Sequence, residues 1–391
     1  MKRTLEPSPL VQSKWMVSVV LERKMPPSCQ EKQIPPPCDG LGKTSFRRRA
    51  EQSGGICFWL QHLRGSKLLE VGTLVFLLSL FPVQARATVQ AASLRESDQA
   101  LADEGMSCLM NGEADAAISL FREISKQDPA SPLGDLLQAD ATWWKIYYTT
   151  ANLVDPDVFD VVYSDTTPYD SQFDSLIQTA ISKAEARIAA RQDVAENYLY
   201  DGMSYALKGR LDGLRARDLA TARDGKKMRS LLLTALQLDP NLTDAYAGIG
   251  LYNYFVATLP TIVKMLRFLI GLPGGSRRLG LQQLTEAAER GNLVRAEAKF
   301  YLAKDYTRSN EMQFDKSLQL FDELQREYPH NPFWKLMVAS VHMRLGHEKE
   351  GDALYRQVLA ETAGRNTLVD ESVHEQVAKA LERLHPGESI H

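Results

Sequence analysis

Residues 98–129 read DQALADEGMSCLMNGEADAAISLFREISKQDP, and the fold of the chain turns on them. Ala, Leu, Glu, Gln, Arg and Lys dominate, and no run alternates with period two, so the stretch reads as helix. Gly105 and Ala117 are small residues suited to a close approach of two antiparallel helices. Phe121 fills the gap toward the segment that follows. Asp128-Pro129 closes the second helix, because proline has no N–H with which to continue it.

The same ending recurs at Leu238-Asp239-Pro240-Asn241 and at Tyr328-Pro329-His330-Asn331. Leu232 and Ala235 precede the first, Phe321 and Leu324 the second. Trp334, Tyr355 and Val358 extend the series. In a unit of about 34 residues, Gly105, Ala117, Phe121 and Pro129 fall where the tetratricopeptide repeat (TPR) has its glycine, alanine, aromatic and proline. The chain resembles TPR proteins over most of residues 97–363, most closely at 98–131 and 209–250. The resemblance implies an all-α fold, a right-handed superhelix of antiparallel helix pairs. Four or five pairs are expected, two of them extended, with a capping helix over 368–384 whose inward stripe is Val369, Val373, Val377, Ala380 and Leu384.

The spacing departs from the repeat in two units. Counting from Gly202, 14 residues are extra before Pro240, within Lys208–Arg229, which holds eight Lys/Arg and three Asp. Counting from Gly250, 17 are extra before Ala287. Those 17 belong to the apolar run Tyr252–Leu272, interrupted by Pro260, Lys264 and Arg267. Both insertions are expected to lengthen helical hairpins by about four to five turns. Arg277 and Arg278 then open the second half of their hairpin. Gly250-x-x-Asn253-Tyr254 followed by Leu259-Pro260 resembles an extended subset of TPR proteins. The aromatic and acidic segment Trp143–Asp170 separates the first two units, with most of its rings expected in the core.

Charge is divided along the chain. Residues 1–67 carry +7 and the remainder −10. The first part is basic and Pro-rich, with no apolar period, and reads as a disordered leader. A mildly acidic remainder argues against nucleic-acid binding. Residues 68–87, LLEVGTLVFLLSLFPVQARA, follow Arg64 and Lys67 and end on Ala85-Arg86-Ala87, the layout of a signal peptide or signal-anchor. The run is too short to span a bilayer comfortably. Export is expected, with residues 88–391 as a helical-repeat domain in the cell envelope, periplasmic or membrane-anchored with the repeats outside. The 63 residues upstream show no fold signal. They read as a stretch before the true start, or else as a cytoplasmic tail ahead of an anchor.

Catalytic motifs do not emerge. Gly40–Thr44 lacks the first glycine of a phosphate loop, since Pro37 stands there. Asp155, Asp157 and Asp160 lack the glycine and the terminal Glu of a calcium loop. His342 and His347 have no zinc-ligand spacing. Cys29, Cys38 and Cys57 lie in the leader, which leaves Cys108 alone in the repeats. No cofactor is expected, and the chain reads as a non-enzyme. TPR arrays bind peptide segments on the face formed by the first helix of each pair, some through a Lys/Asn carboxylate clamp. Here Ala102, Met106, Ala247 and Leu251 occupy those places. The resemblance therefore implies a protein-binding scaffold that recognises an apolar segment through Met106, Met203 and Tyr254, with Asn253, Lys264, Arg267, Arg277 and Arg278 as further candidates. The alternative is a membrane-peripheral handler of lipid or hydrophobic ligand using residues 252–272.

Overall fold

The computed structural model describes residues 97–154, 165–259 and 271–387. The leader, the signal segment, the Asp155/Asp157/Asp160 trio, Lys264 and Arg267 lie outside them. Among the described residues there are thirteen helices and no strand. They are α1 (97–110), α2 (Ala114–Gln127), α3 (Leu133–Thr150), α4 (Asp170–Ala189), α5 (Val194–Leu214) and α6 (Asp218–Leu238). Then come α7 (Ala245–Thr258), α8 (Arg277–Arg290), α9 (Arg295–Thr307), α10 (Phe314–Glu327), α11 (Pro332–Leu345), α12 (Glu348–Thr362) and α13 (Leu368–Leu384). Each helix packs on the next, giving six hairpins and a final helix rather than four or five pairs.

The outer helices follow the amphipathic pattern. α2 buries Ala114, Ala117, Ile118, Phe121 and Ile124, a three-four spacing along one stripe. α10 does the same with Ser317, Phe321 and Leu324. Their ends are set by local chemistry. The Asn331 side chain accepts from Phe333 N at the start of α11, where Pro332 is the first helical residue. Gly346 closes that helix at φ 78°, in the left-handed region. At the start of α13 the Thr367 hydroxyl accepts from Asp370 N and donates to Asp370 Oδ2. Its inward stripe is as expected through Ala380, but Leu381 completes it and Leu384 is exposed.

α3 is built differently. From Leu133 to Tyr148 every residue except Lys145 is buried, so it has no solvent face and no 3.6-residue period to read. It carries Trp143, Trp144, Tyr147 and Tyr148 into the centre of the array. The Trp144 ring meets Phe300 of α9 at 5.4 Å and Trp334 of α11 at 6.0 Å between centroids. Tyr148 meets Phe333 at 5.6 Å, edge to face. Part of the segment expected to separate two units is thus the central helix of the fold, paired with α4.

α3 also receives the last helix. α13 packs on α3, and Gln376 bridges the backbone after α3, accepting from Leu153 N at 2.7 Å and donating to Ala151 O at 2.9 Å. α11 ties to the first hairpin. Asn331 Nδ2 and Trp334 Nε1 both donate to Met110 O at 2.9 Å, and Asn331 Nδ2 also donates to the Tyr148 hydroxyl at 3.1 Å. The first and last hairpins are in contact, and the array closes on itself around α3.

In the first insertion, α5 and α6 are 21 residues each, so the helices themselves are longer. In the second, α7 and α8 are 14 residues each, and most of the apolar insertion, residues 260–270, lies outside the described residues. Leu259 ends α7 at ψ 147°, the extended backbone imposed on a residue that precedes proline. Ser276 caps α8 by accepting from Leu279 N, which places Arg277 and Arg278 at the start of the second half. α7 and α8 lie close together. A Cβ on Gly280 would stand 2.6 Å from Tyr254 N, and one on Gly250 2.9 Å from Gly280 O.

Candidate functional site

Three inner helices bring one charged side chain each to a common point. Asp140 comes from α3, Arg210 from α5 and Glu297 from α9. The Arg210 guanidinium binds Glu297 with both of its terminal nitrogens. Nη1 donates to Oε1 at 3.2 Å and Oε2 at 3.3 Å, and Nη2 to Oε2 at 3.2 Å. Trp144 Nε1 adds a fourth hydrogen bond, donating to Oε1 at 3.0 Å. Beneath the guanidinium lies the Tyr301 ring, its centroid 4.8 Å from Cζ. Glu297 is only 3% exposed, so a charge-assisted, two-pronged pair is what makes its burial tolerable.

Asp140 is left over. It is 8% exposed, its Oδ1 stands 4.0 Å from Arg210 Nη1, and that oxygen has no hydrogen-bond partner. Burial, followed by the adjacent Glu297 carboxylate, pushes the Asp140 carboxyl well above its ordinary range, and Arg210 offsets this only in part. Burial alone would loosen the proton on Arg210. The Glu297, Tyr301 and Asp140 groups outweigh it and hold the guanidinium above its usual value. The Tyr301 hydroxyl is raised by burial in the same place. Two carboxyl groups therefore share one guanidinium, and the cluster retains either a proton or an unmatched negative charge.

These groups line a cleft. Leu136, Leu137 and Asp140 of α3 form one wall, and Met203, Leu207 and Arg210 of α5 another. Ala247 and Gly248 of α7 and Val294 and Glu297 close it. The cleft is partly open, and its volume of ≈ 30 Å³ holds about one or two waters. Asp244 sits at the far side. Its Oδ1 accepts from the backbone N–H groups of Asn292, Leu293 and Val294 at 2.8–3.1 Å and fixes the turn into α9. Burial raises its carboxyl despite those three donors.

The residues singled out from sequence scatter around this cleft. Met203 lines it. Met106 is half-buried against the core. Tyr254 is fully buried, its hydroxyl 3.4 Å from Asp305 O and from Asn310 Oδ1, so its ring serves packing rather than an open face. Asn253 is buried and donates to Gln283 Oε1 at 2.7 Å across the α7/α8 approach. Arg277 is exposed and reaches Asn310 O at 2.8 Å and Glu311 at 3.4 Å. Arg278 is exposed beside it.

The basic stretch Lys208–Arg229 is largely engaged within the fold. Arg215 forms a two-pronged pair with Asp170 of α4 at 2.8–2.9 Å. Lys208 and Arg223 both meet the buried Asp224, and Arg217 meets Asp212 at 2.7 Å. Arg229 and Lys227 lie over the rings of Tyr252 and Tyr205.

Sequence reading misses Asp140 and Glu297 because neither belongs to a local motif: Asp140 lies in LQADATWW, and Glu297 in RAEAKF has Arg295 and Lys299 two residues away as apparent partners. The signal available was at Asp140, an acid between apolar and aromatic residues, which must find a partner or a proton. Among the described residues no group of three or more His, Cys, Asp or Glu is placed to hold a metal ion, and no helix is long and apolar enough to cross a membrane. Compared with known proteins, the chain matches no family model and no curated relative.

Proposed function

We propose that this chain is a non-catalytic protein-binding scaffold of TPR type, exported to the cell envelope. One observation carries the TPR reading: the same fit recurs in two separate hairpins. A Cβ on Gly105 would strike the Phe121 ring, and one on Gly202 would stand 2.5 Å from Leu232. In each case the small residue on the first helix receives the large one from the second, at the repeat's own spacing in the first hairpin and across the inserted residues in the second. A chain of such hairpins is a recognition surface by construction, since each unit adds area without adding chemistry.

Closure of the array changes where recognition would occur. The inner face that open repeat arrays offer to a peptide is occupied here by α3. The cleft at Met203 remains available, which favours a short partner segment over a long one. A photo-crosslinking residue in place of Met203, in the full chain and its own cell, should join to a discrete partner, and the same residue at exposed Gln319 of α10 should not. Equal adducts at both positions, or none at either, would remove the scaffold reading. Export is tested separately. Residues 60–95 fused to a reporter active only outside the cytoplasm should give signal, and a silent fusion would withdraw the compartment.

A further inference from the structure

The cleft between α3, α5, α7 and α9 combines three features that point to one ligand chemistry. Its polar end has one carboxyl too many, because Glu297 is bound by Arg210 and Trp144, while Asp140 has only the like-charged Glu297 beside it as a side-chain partner and its Oδ1 accepts from nothing. Its volume, ≈ 30 Å³, matches a head group the size of one or two waters. Its remaining walls are apolar: Leu136, Met203, Leu207 and Ala247.

We propose that this cleft binds a primary ammonium group on an alkyl stem, with Asp140 as counter-ion and Leu136, Met203 and Leu207 along the stem. An ammonium supplies three donors and one positive charge. Asp140 offers a free oxygen, and adding one cation to two carboxylates and one guanidinium brings the cluster to neutrality. A divalent metal fits poorly. It needs at least four to six oxygen or nitrogen ligands, and the apolar walls supply none. A neutral alcohol would fill the same space but leave the charge unmatched. Asp140 enters the complex as a carboxylate, so a proton held there in the empty cleft leaves to solvent as the cation arrives. Two sources present this chemistry, a free alkylamine and the lysine side chain of a protein segment. The inference goes beyond the scaffold reading and stands without it.

Trp144 provides the reporter, since its Nε1–H is bonded to Glu297 beside the proposed head-group position. The full chain, ¹⁵N-labelled at tryptophan, is titrated with n-butylammonium chloride, n-butanol and sodium chloride in parallel. A saturable shift of the Trp144 indole signal with butylammonium is expected, at least tenfold stronger than with either control. Equal response to butanol or to sodium would overturn the proposal, as would no response to butylammonium at 50-fold the protein concentration and above, up to roughly 100 mM, where affinity falls below about 1.4 kcal/mol. Asp140→Asn keeps the shape and removes the charge, and should weaken binding at least tenfold. Leu136→Phe keeps the charge and fills the stem path, and should do the same. Retained binding in both variants would place the amine elsewhere and refute the assignment. A capped Ala-Lys-Ala peptide and its N-acetyl-lysine counterpart separate the sources. Competition by the lysine peptide alone assigns the site to protein segments, and its absence, with butylammonium bound, assigns it to free amines. Failure of the scaffold experiment at Met203 leaves this result unaffected.

Discussion

Replacing Arg210 by leucine should be among the most damaging changes in the inner core. The substitution removes the three hydrogen bonds at 3.2–3.3 Å that hold Glu297. It leaves that carboxylate, 3% exposed, with Trp144 alone, and it deprives Asp140 of the nearest positive charge. Breaking a buried ion pair by deleting one partner costs about 3–5 kcal/mol. Leucine fits the apolar surroundings, so packing loss is secondary and the charge dominates. The companion variant Arg210→Leu/Glu297→Gln removes the stranded charge and should recover about half or more of the loss, the usual result when both members of a buried pair are neutralised. The loss in the single variant should also shrink on acidification. A stranded buried carboxylate is penalised as the anion, so conditions that favour neutral acids relieve the loss. Urea unfolding of the full chain, followed by tryptophan fluorescence and circular dichroism at pH 8 and pH 5, measures all three effects, with the slopes compared to check that the same transition is observed. A loss below about 1 kcal/mol at pH 8, or a double variant no better than the single, would refute the reasoning.

Asp201→Asn tests a second buried acid. Burial, then Glu185, raise the Asp201 carboxyl to about 7, with Lys227 opposing. A raised acid weakens the fold as pH climbs from its unfolded value near 4 through 7, and the penalty is complete above that. The asparagine variant should lack this fall and be more stable than the parent at pH 8 by about 2 kcal/mol, less than the full shift because the buried amide it leaves is itself short of partners; identical pH profiles would count against it. Gly280→Ala should lower stability by about 1–3 kcal/mol, because the added methyl meets Tyr254 N and Gly250 O and forces α7 from α8. An unchanged melting temperature would contradict that approach. Asn331→Ala removes a helix cap together with the link to Met110 O. It should cost about 1–3 kcal/mol and speed amide exchange in both hairpins it joins, whereas faster exchange in α11 alone would argue against closure.

The amphipathic helices were legible because a solvent face leaves a period. α2 and α10 show it, and Pro129, Pro240 and Pro329 mark ends that the structure keeps. α3 was not legible for the converse reason. Buried on all sides, it alternates nothing, and Asp135, Asp140 and Thr142 within it look like the polar residues of a connection. The lengthening of α5 and α6 follows from counting between Gly202 and Pro240. The same count from Gly250 to Ala287 gives the number of extra residues but not their placement, because Pro260 stops α7 locally whatever the register. The charged cluster depends on residues 87 and 153 positions apart, a proximity that no local pattern encodes.

Closure around α3 also has a consequence in time. The ribosome releases Thr150 some 234 residues before Leu384. At roughly 5–20 residues per second, the surface of α3 that α13 covers stands bare for about 10–50 s during synthesis. Trp144 meets its α9 and α11 partners only part-way through that interval. Open repeat arrays grow by adding a unit to a finished neighbour; here the earliest central helix is also the last to be covered. Truncation anywhere after α4 would therefore expose the most aromatic surface in the chain rather than simply shorten it.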